Sequence, residues 1–85
     1  MSWCVEIARD AKKEFARLPG AVQKRIARVL LSLENDPFPA GCKKLKNRDG
    51  WRVRVGDYRI LYFTDKAARQ IVVGVIAHRR EVYRR

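Results

Sequence analysis

The sequence predicts an α+β fold: an N-terminal strand, a helical hairpin, then a three-stranded antiparallel meander, with the helices on one sheet face. Three observations carry this. Apolar residues alternate at the N-terminus, recur at helical spacing through the next thirty or so positions, and alternate again from Trp51 onward. Trp3, Val5 and Ile7 alternate with Cys4, Glu6 and Ala8, the period of a half-buried strand. Asp10 is placed to cap a short helix in which Ala11, Phe15 and Leu18 recur at helical spacing, and Pro19-Gly20 breaks it. The second helix has Val22, Ile26, Val29, Leu30 and Leu33 on one stripe, with Gln23, Lys24, Arg25 and Arg28 opposite. Asn35-Asp36-Pro37 ends it, and Phe38 to Asp49 reads as a basic loop holding Lys43, Lys44, Lys46 and Arg48. Trp51 to Val55 and Tyr58 to Thr64 read as strands around Gly56-Asp57. After Asp65 to Arg69 the last strand runs Gln70 to Ala77. The periodicity leaves strand order open. The two helices cover one sheet face, and the other is the place to look for function.

Eighty-five residues make one domain, spanning 1–85. The longest unbroken apolar stretch, Ile71 to Ala77, is far too short to cross a membrane as a helix. The first residues carry an acid at Glu6 and lack the basic-then-apolar layout of a signal peptide, so a cytoplasmic location is expected. Cys4 and Cys42 then read as reduced, buried thiols. With a single histidine and no close Cys/His cluster, no metal site and no cofactor is expected.

Charge is more telling. The formal net charge is +11, and it is lopsided. Residues 1–40 hold seven bases and five acids, whereas residues 41–85 hold thirteen bases and four acids. A one-sided field of that strength attracts polyanions, nucleic acid first and an acidic protein next. Lys43, Lys44, Lys46, Arg48 and Arg80 are the candidate RNA contacts. A membrane surface fits less well, because the basic half lacks the pattern of an amphipathic helix.

The hairpin sharpens this. If Gly56-Asp57 is a two-residue turn, Val55 pairs with Tyr58, Arg54 with Arg59, Val53 with Ile60, Arg52 with Leu61 and Trp51 with Tyr62. Directly opposed residues share a face. Trp51, Val53, Val55, Tyr58, Ile60 and Tyr62 then form one apolar surface, and Arg52, Arg54 and Arg59 converge on the other. Like charges directly opposite destabilise a sheet by some tenths of a kcal/mol, which points to an anion held between them. The ending His78-Arg79-Arg80-Glu81-Val82-Tyr83-Arg84-Arg85 adds the only histidine, four arginines and a tyrosine. Histidine titrates near neutrality, arginine clamps phosphate through a bidentate fork, and tyrosine stacks on bases.

Arg54-Val55-Gly56-Asp57-Tyr58-Arg59-Ile60-Leu61-Tyr62 and His78-Arg79-Arg80-Glu81-Val82-Tyr83, together with the β-α-α-β-β-β order, resemble the RelE/ParE superfamily of type II toxins. The resemblance covers nearly the whole chain. It implies a partner, an acidic antitoxin that wraps the toxin in a hetero-oligomeric complex. For the RelE branch it implies metal-independent cleavage of mRNA on the ribosome, by 2′-hydroxyl attack on the adjacent phosphate. Carried onto matching positions, it implies Arg52, Arg54, Arg59 and Arg79 as phosphate and transition-state contacts, with Tyr83 stacking on or orienting the substrate. The RelE branch carries lysines where this chain has Arg52 and Arg54. Arginine stays protonated, so the general base falls to His78, Tyr83 or a ribosomal group, with His78 the best placed by its ordinary pKa. The ParE branch, which inhibits DNA gyrase and cleaves nothing, is the alternative. The chain stops two residues after Tyr83, so the terminal helix of the RelE branch is expected to have no counterpart.

Overall fold

A computed structural model describes residues 2–46 and 50–82. Strand β1 (Cys4–Ile7) is followed by helices α1 (Arg9–Ala16) and α2 (Gly20–Leu33), then by strands β2 (Lys43–Lys44), β3 (Gly50–Val55), β4 (Tyr58–Asp65) and β5 (Gln70–His78), and a terminal helical turn, α3 (Arg79–Val82). One sheet runs in the order β1-β5-β4-β3-β2. The pair β1–β5 is parallel and all others are antiparallel. The α+β class and the meander are as the sequence predicts. The sheet gains a fifth strand inside the expected basic loop, because Lys43 and Lys44 pair with Arg52 and Trp51. Two residues are too few to display a period.

The helices cover one sheet face. Ala11 of α1 and Ile26, Leu30 and Leu33 of α2 pack with Val53, Val55, Ile60, Tyr62, Ile71, Val73 and Ile76 as one buried cluster. Helix α2 buries the stripe its 3.6 period marks out, with Leu31, on the opposite side, 63% exposed. Tyr62 is the largest side chain fully buried in this core, and its hydroxyl donates to the Pro37 carbonyl at 2.8 Å. Burial pushes its phenol well above the ordinary tyrosine range, with the neighbouring Cys42 and Asp36 adding to the effect.

Three local expectations are corrected. Ala8, in extended conformation, is the N-cap of α1 and makes no side-chain cap bond. Asp10 sits inside the first turn, where its carboxylate opposes the positive end of the helix dipole. Both cysteines are free, but Cys4 is exposed because it alternates with the inward-facing Val5 on an edge strand. Cys42 is only half-buried. A single helical turn, Arg79–Val82, follows β5, and the residues from Tyr83 on lie outside the described ones.

Strand β5 is not straight. Leu61 pairs with Val75 but Tyr62 pairs with Val73, so Gly74 is an extra residue in the ladder. The bulge moves the inward-facing set from odd to even positions. Ile71 and Val73 before it, and Ile76 after it, all reach the core. Glycine also leaves room there: a Cβ at Gly74 would lie 3.1 Å from the Phe63 ring, closer than most Cβ contacts.

Candidate nucleic-acid interface

The site is built by the β3–β4 hairpin. Its two-residue turn needs a positive φ, which Gly56 supplies at +59°. The six pairs from Gly50↔Phe63 to Val55↔Tyr58 run without interruption, in the register read from the sequence. Arg54 therefore stands opposite Arg59, and Arg52 follows two residues along the same face. Lys43, paired with Arg52, brings a fourth cation to that face from β2. The alternate positions Val53, Val55 and Ile60 are buried beneath the helices, so the cations lie on the uncovered side.

Ala40, Gly41, Lys43, Arg52, Val53, Arg54 and Arg59 line an open hollow of about 430 Å³. Two guanidinium groups are anchored to the hairpin itself. Arg54 donates from Nε to the Gly56 carbonyl at 3.2 Å, and Arg59 donates from Nη1 to the Tyr58 carbonyl at 3.3 Å. Each commits one of five N–H donors to the backbone and keeps the rest for an anion. No acid is among the described lining residues. Four positive charges on a concave surface focus a field that attracts phosphate. Lysine and arginine offer N–H donors and no acceptor, so these side chains can bind and neutralise an anion but supply no base for a proton.

His78 is not part of this hollow. It pairs with Tyr58, whose side chain packs against the core, so both belong to the helix-covered face. The two rings meet edge to face, 5.4 Å between centroids. The physical reason is the Gly74 bulge. On an unbroken strand His78 would share a face with Val72, which lies opposite Phe63 on the uncovered side. The Arg80 amide donates to His78 Nδ1 at 3.3 Å, leaving the proton of the neutral ring on Nε2.

The remaining predicted residues are dispersed. The Arg79 amide donates to the Asp57 carbonyl at 2.7 Å, tying the terminal turn to the hairpin turn, and Arg79 and Arg80 are both exposed there. Lys44 pairs with Trp51 and so belongs to the face opposite Lys43. Lys46 is exposed in the turn after β2. Arg48 and Tyr83 lie outside the described residues. The sequence marks Lys43 as an RNA contact in a basic loop but not as the cross-strand partner of Arg52, and gives no sign of Ala40 and Gly41, which line the hollow because the short β2 strand folds that loop onto β3.

Comparison with known proteins identifies the family and the fold. Residues 5–83 match the family described as ParE toxin of type II toxin-antitoxin system, parDE. A curated protein of Methanocaldococcus jannaschii named "Putative toxin RelE1" is 30% identical over 88 residues, covering 99% of this chain and 98% of the relative. Among solved structures, the archaeal RelE–RelB complex from Pyrococcus horikoshii superposes with a TM-score of 0.84 at 28% identity, covering 93% of this chain and 97% of that one. The RelB–RelE complex of Methanococcus jannaschii gives 0.77 at 25% identity, with 93% and 95% covered. The isolated Escherichia coli RelE toxin shares the fold, with a TM-score of 0.81 at 20% identity over 98% of this chain and 93% of that one. The family match over residues 5–83, together with a 30%-identical relative covering nearly the whole chain, places the chain in the ParE toxin family of type II toxin–antitoxin systems, within the RelE/ParE superfamily.

Proposed function

We propose that the chain is a ribosome-dependent mRNA endonuclease, neutralised in the cytoplasm by a cognate acidic antitoxin. The supporting observation is the hollow in which Lys43, Arg52, Arg54 and Arg59 converge without an acid among its described lining. In this reading the scissile phosphate sits in the hollow. The 2′-oxygen of the preceding nucleotide attacks phosphorus and loses its proton. The 5′-oxygen of the next nucleotide departs and gains one, leaving a 2′,3′-cyclic phosphate and a 5′-hydroxyl. The arginines neutralise the charge that builds on the phosphorane, usually the largest single catalytic contribution. The proton of the 2′-hydroxyl goes to a base that the described lining does not supply, Tyr83 or a ribosomal group. No metal takes part in this scheme.

Two relatives were crystallised with RelB, which supports an antitoxin partner here. An acidic antitoxin covering the basic hollow would compete with RNA for the same cations. Toe-printing of mRNA on programmed ribosomes tests the reading: codon-specific cuts are expected from the parent protein, and intact mRNA overturns it.

A second reading, a ParE-type gyrase inhibitor without nuclease activity, is favoured by the absence of a histidine or carboxylate among the described hollow residues. DNA damage in cells with intact mRNA would establish it in place of the first.

A further inference from the structure

The opposite sheet face carries a second basic feature, away from the arginine hollow. Lys44, Trp51, Thr64 and Lys66 line a cleft of about 270 Å³. Trp51 and Lys44 are cross-strand partners, and Trp51 also pairs with Tyr62, the buried tyrosine of the helix-covered face. The cleft lies towards the end of the hairpin remote from Gly56-Asp57, roughly 10 Å along the strand from Arg54. It and the hollow thus face in different directions.

The cleft has an aromatic wall. Phe38 packs on Trp51 with centroids 4.7 Å apart, and Trp3 closes on Phe38 edge to face at 6.3 Å. Lys66 holds its ammonium 5.8 Å from the Phe38 ring centroid, a cation–π contact that places charge beside the aromatic surface. Neither lysine is ion-paired among the described residues. Two acids near these residues in sequence are engaged in their own turns: Asp36 accepts the Phe38 amide at 3.1 Å and Asp65 accepts the Ala68 amide at 3.1 Å, while Asp49 lies outside the described residues.

We propose that this cleft is a second RNA site, in which the Trp51 ring stacks on an unpaired base while Lys44 and Lys66 hold the flanking phosphates. The chemistry is that of single-strand binding elsewhere: a π-face that accepts any base, beside cations that track the backbone. Neither lysine touches the arginine hollow, so the cleft docks RNA and has no part in cleavage. The inference rests on the reading of the chain as an RNA-directed toxin, which it extends from the cleaved strand to a second, uncleaved segment.

The chain has two tryptophans, so Trp3→Phe leaves Trp51 as the sole indole reporter. The probe is a ten-nucleotide oligouridine, titrated in that background at several salt concentrations. Saturable quenching of Trp51 is expected. A combined Lys44→Ala/Lys66→Ala change should weaken it and reduce the log–log salt slope by about 1.4, from about 0.7 per single-strand phosphate contact. Replacing Arg52, Arg54 and Arg59 by alanine should leave the quenching in place. Both lysines are exposed, and a far-UV spectrum with a thermal melt confirms that the variants fold. The proposal is overturned if the lysine changes leave quenching and slope unaltered, if the arginine changes abolish the quenching, or if polyglutamate quenches and oligouridine does not. Ribosomal cleavage is read separately. Absent cleavage with intact Trp51 quenching sinks the nuclease reading alone.

Discussion

The β3–β4 and β4–β5 hairpins share a central strand, yet they treat their charged residues in opposite ways. In the first, a glycine turn and six uninterrupted pairs keep Arg52, Arg54 and Arg59 on one face. In the second, the extra residue at Gly74 shifts the register by one and carries His78 to the other face. Side-chain direction alternates with a period of two, so one inserted residue inverts everything beyond it. Short-range turn chemistry fixed the first arrangement. Long-range packing fixed the second.

The largest expected effect tests the intact hairpin. Arg59→Ala should lower ribosome-dependent cleavage by about 10²–10³-fold, the usual result of removing one preorganised electrostatic contact. The fold should survive, since among the described residues Arg59 makes a single hydrogen bond, 3.3 Å to its neighbour's carbonyl, and lies outside the buried core. Arg59→Lys should restore part of the rate, because lysine keeps the charge and loses the planar fork. Single-turnover cleavage on programmed ribosomes measures both. Parental rates from Arg59→Ala would remove the hollow from the chemistry.

Next in size are the glycines that the Phe63 ring covers. A Cβ at Gly50 would lie 2.7 Å from Phe63 and 2.9 Å from Leu45, whereas one at Gly74 would lie 3.1 Å from Phe63. Overpacking of this kind costs about 1–3 kcal/mol. Gly50→Ala should therefore sit at the upper end in urea denaturation and Gly74→Ala at the lower. Phe63→Leu should couple favourably to each in a double-mutant cycle, because it removes the ring edge that blocks the new methyl. Additive energies would mean that Phe63 is not what reserves these positions for glycine.

The difference between the hairpins also explains what was legible in the sequence. Gly56-Asp57 between alternating segments specifies both a turn and a register, so the pairing of Arg54 with Arg59 could be written down beforehand. The α2 stripe from Val22 to Leu33 was equally plain. The bulge was not, because Ile71-Val72-Val73-Gly74-Val75-Ile76-Ala77 is apolar at nearly every position and displays no alternation to break. Only the packing of Ile71, Val73 and Ile76 into one core reveals the shift. Lys43 could be named as an RNA contact, but its place beside Arg52 could not: a two-residue strand has no local signature, and the pairing depends on how the preceding loop folds. The cap of α1 was misplaced because Asp10 has the right chemistry two residues too late.

A third expectation concerns Tyr62, which the bulge seats opposite Val73 in the core. Its phenol is raised by burial, so the folded chain keeps that proton after the unfolded chain has lost it near pH 10. The sign follows directly. The contribution is fully present below about pH 10 and is lost as pH rises above it, at about 1.4 kcal/mol per pH unit for one proton. Tyr62→Phe should cost about 1 kcal/mol at neutral pH through the lost bond to Pro37, and should flatten the alkaline decline. Equal alkaline slopes in parent and variant would mean that Tyr62 titrates normally.

The smallest expected effect is the most discriminating between the hairpins. Histidine is the commonest general base, and a positioned base contributes roughly 10²–10⁴ in rate. The His78 ring nevertheless stacks edge to face on Tyr58, on the sheet face opposite Arg52, Arg54 and Arg59. A proton cannot pass from a substrate in the hollow to an imidazole on the far side of a hydrogen-bonded sheet. Nδ1 is further engaged by the Arg80 amide. His78→Ala should therefore cut within about twofold of the parental rate at every pH from about 6 to 8, far below the contribution of a positioned base. Its cost should appear in stability instead, about 0.5–1.5 kcal/mol for the lost ring contact with Tyr58. A rate loss of a hundredfold or more, accompanied by disappearance of an acidic limb in the pH profile, would mean that the β5 bulge rearranges on the ribosome and brings histidine back to the arginine face.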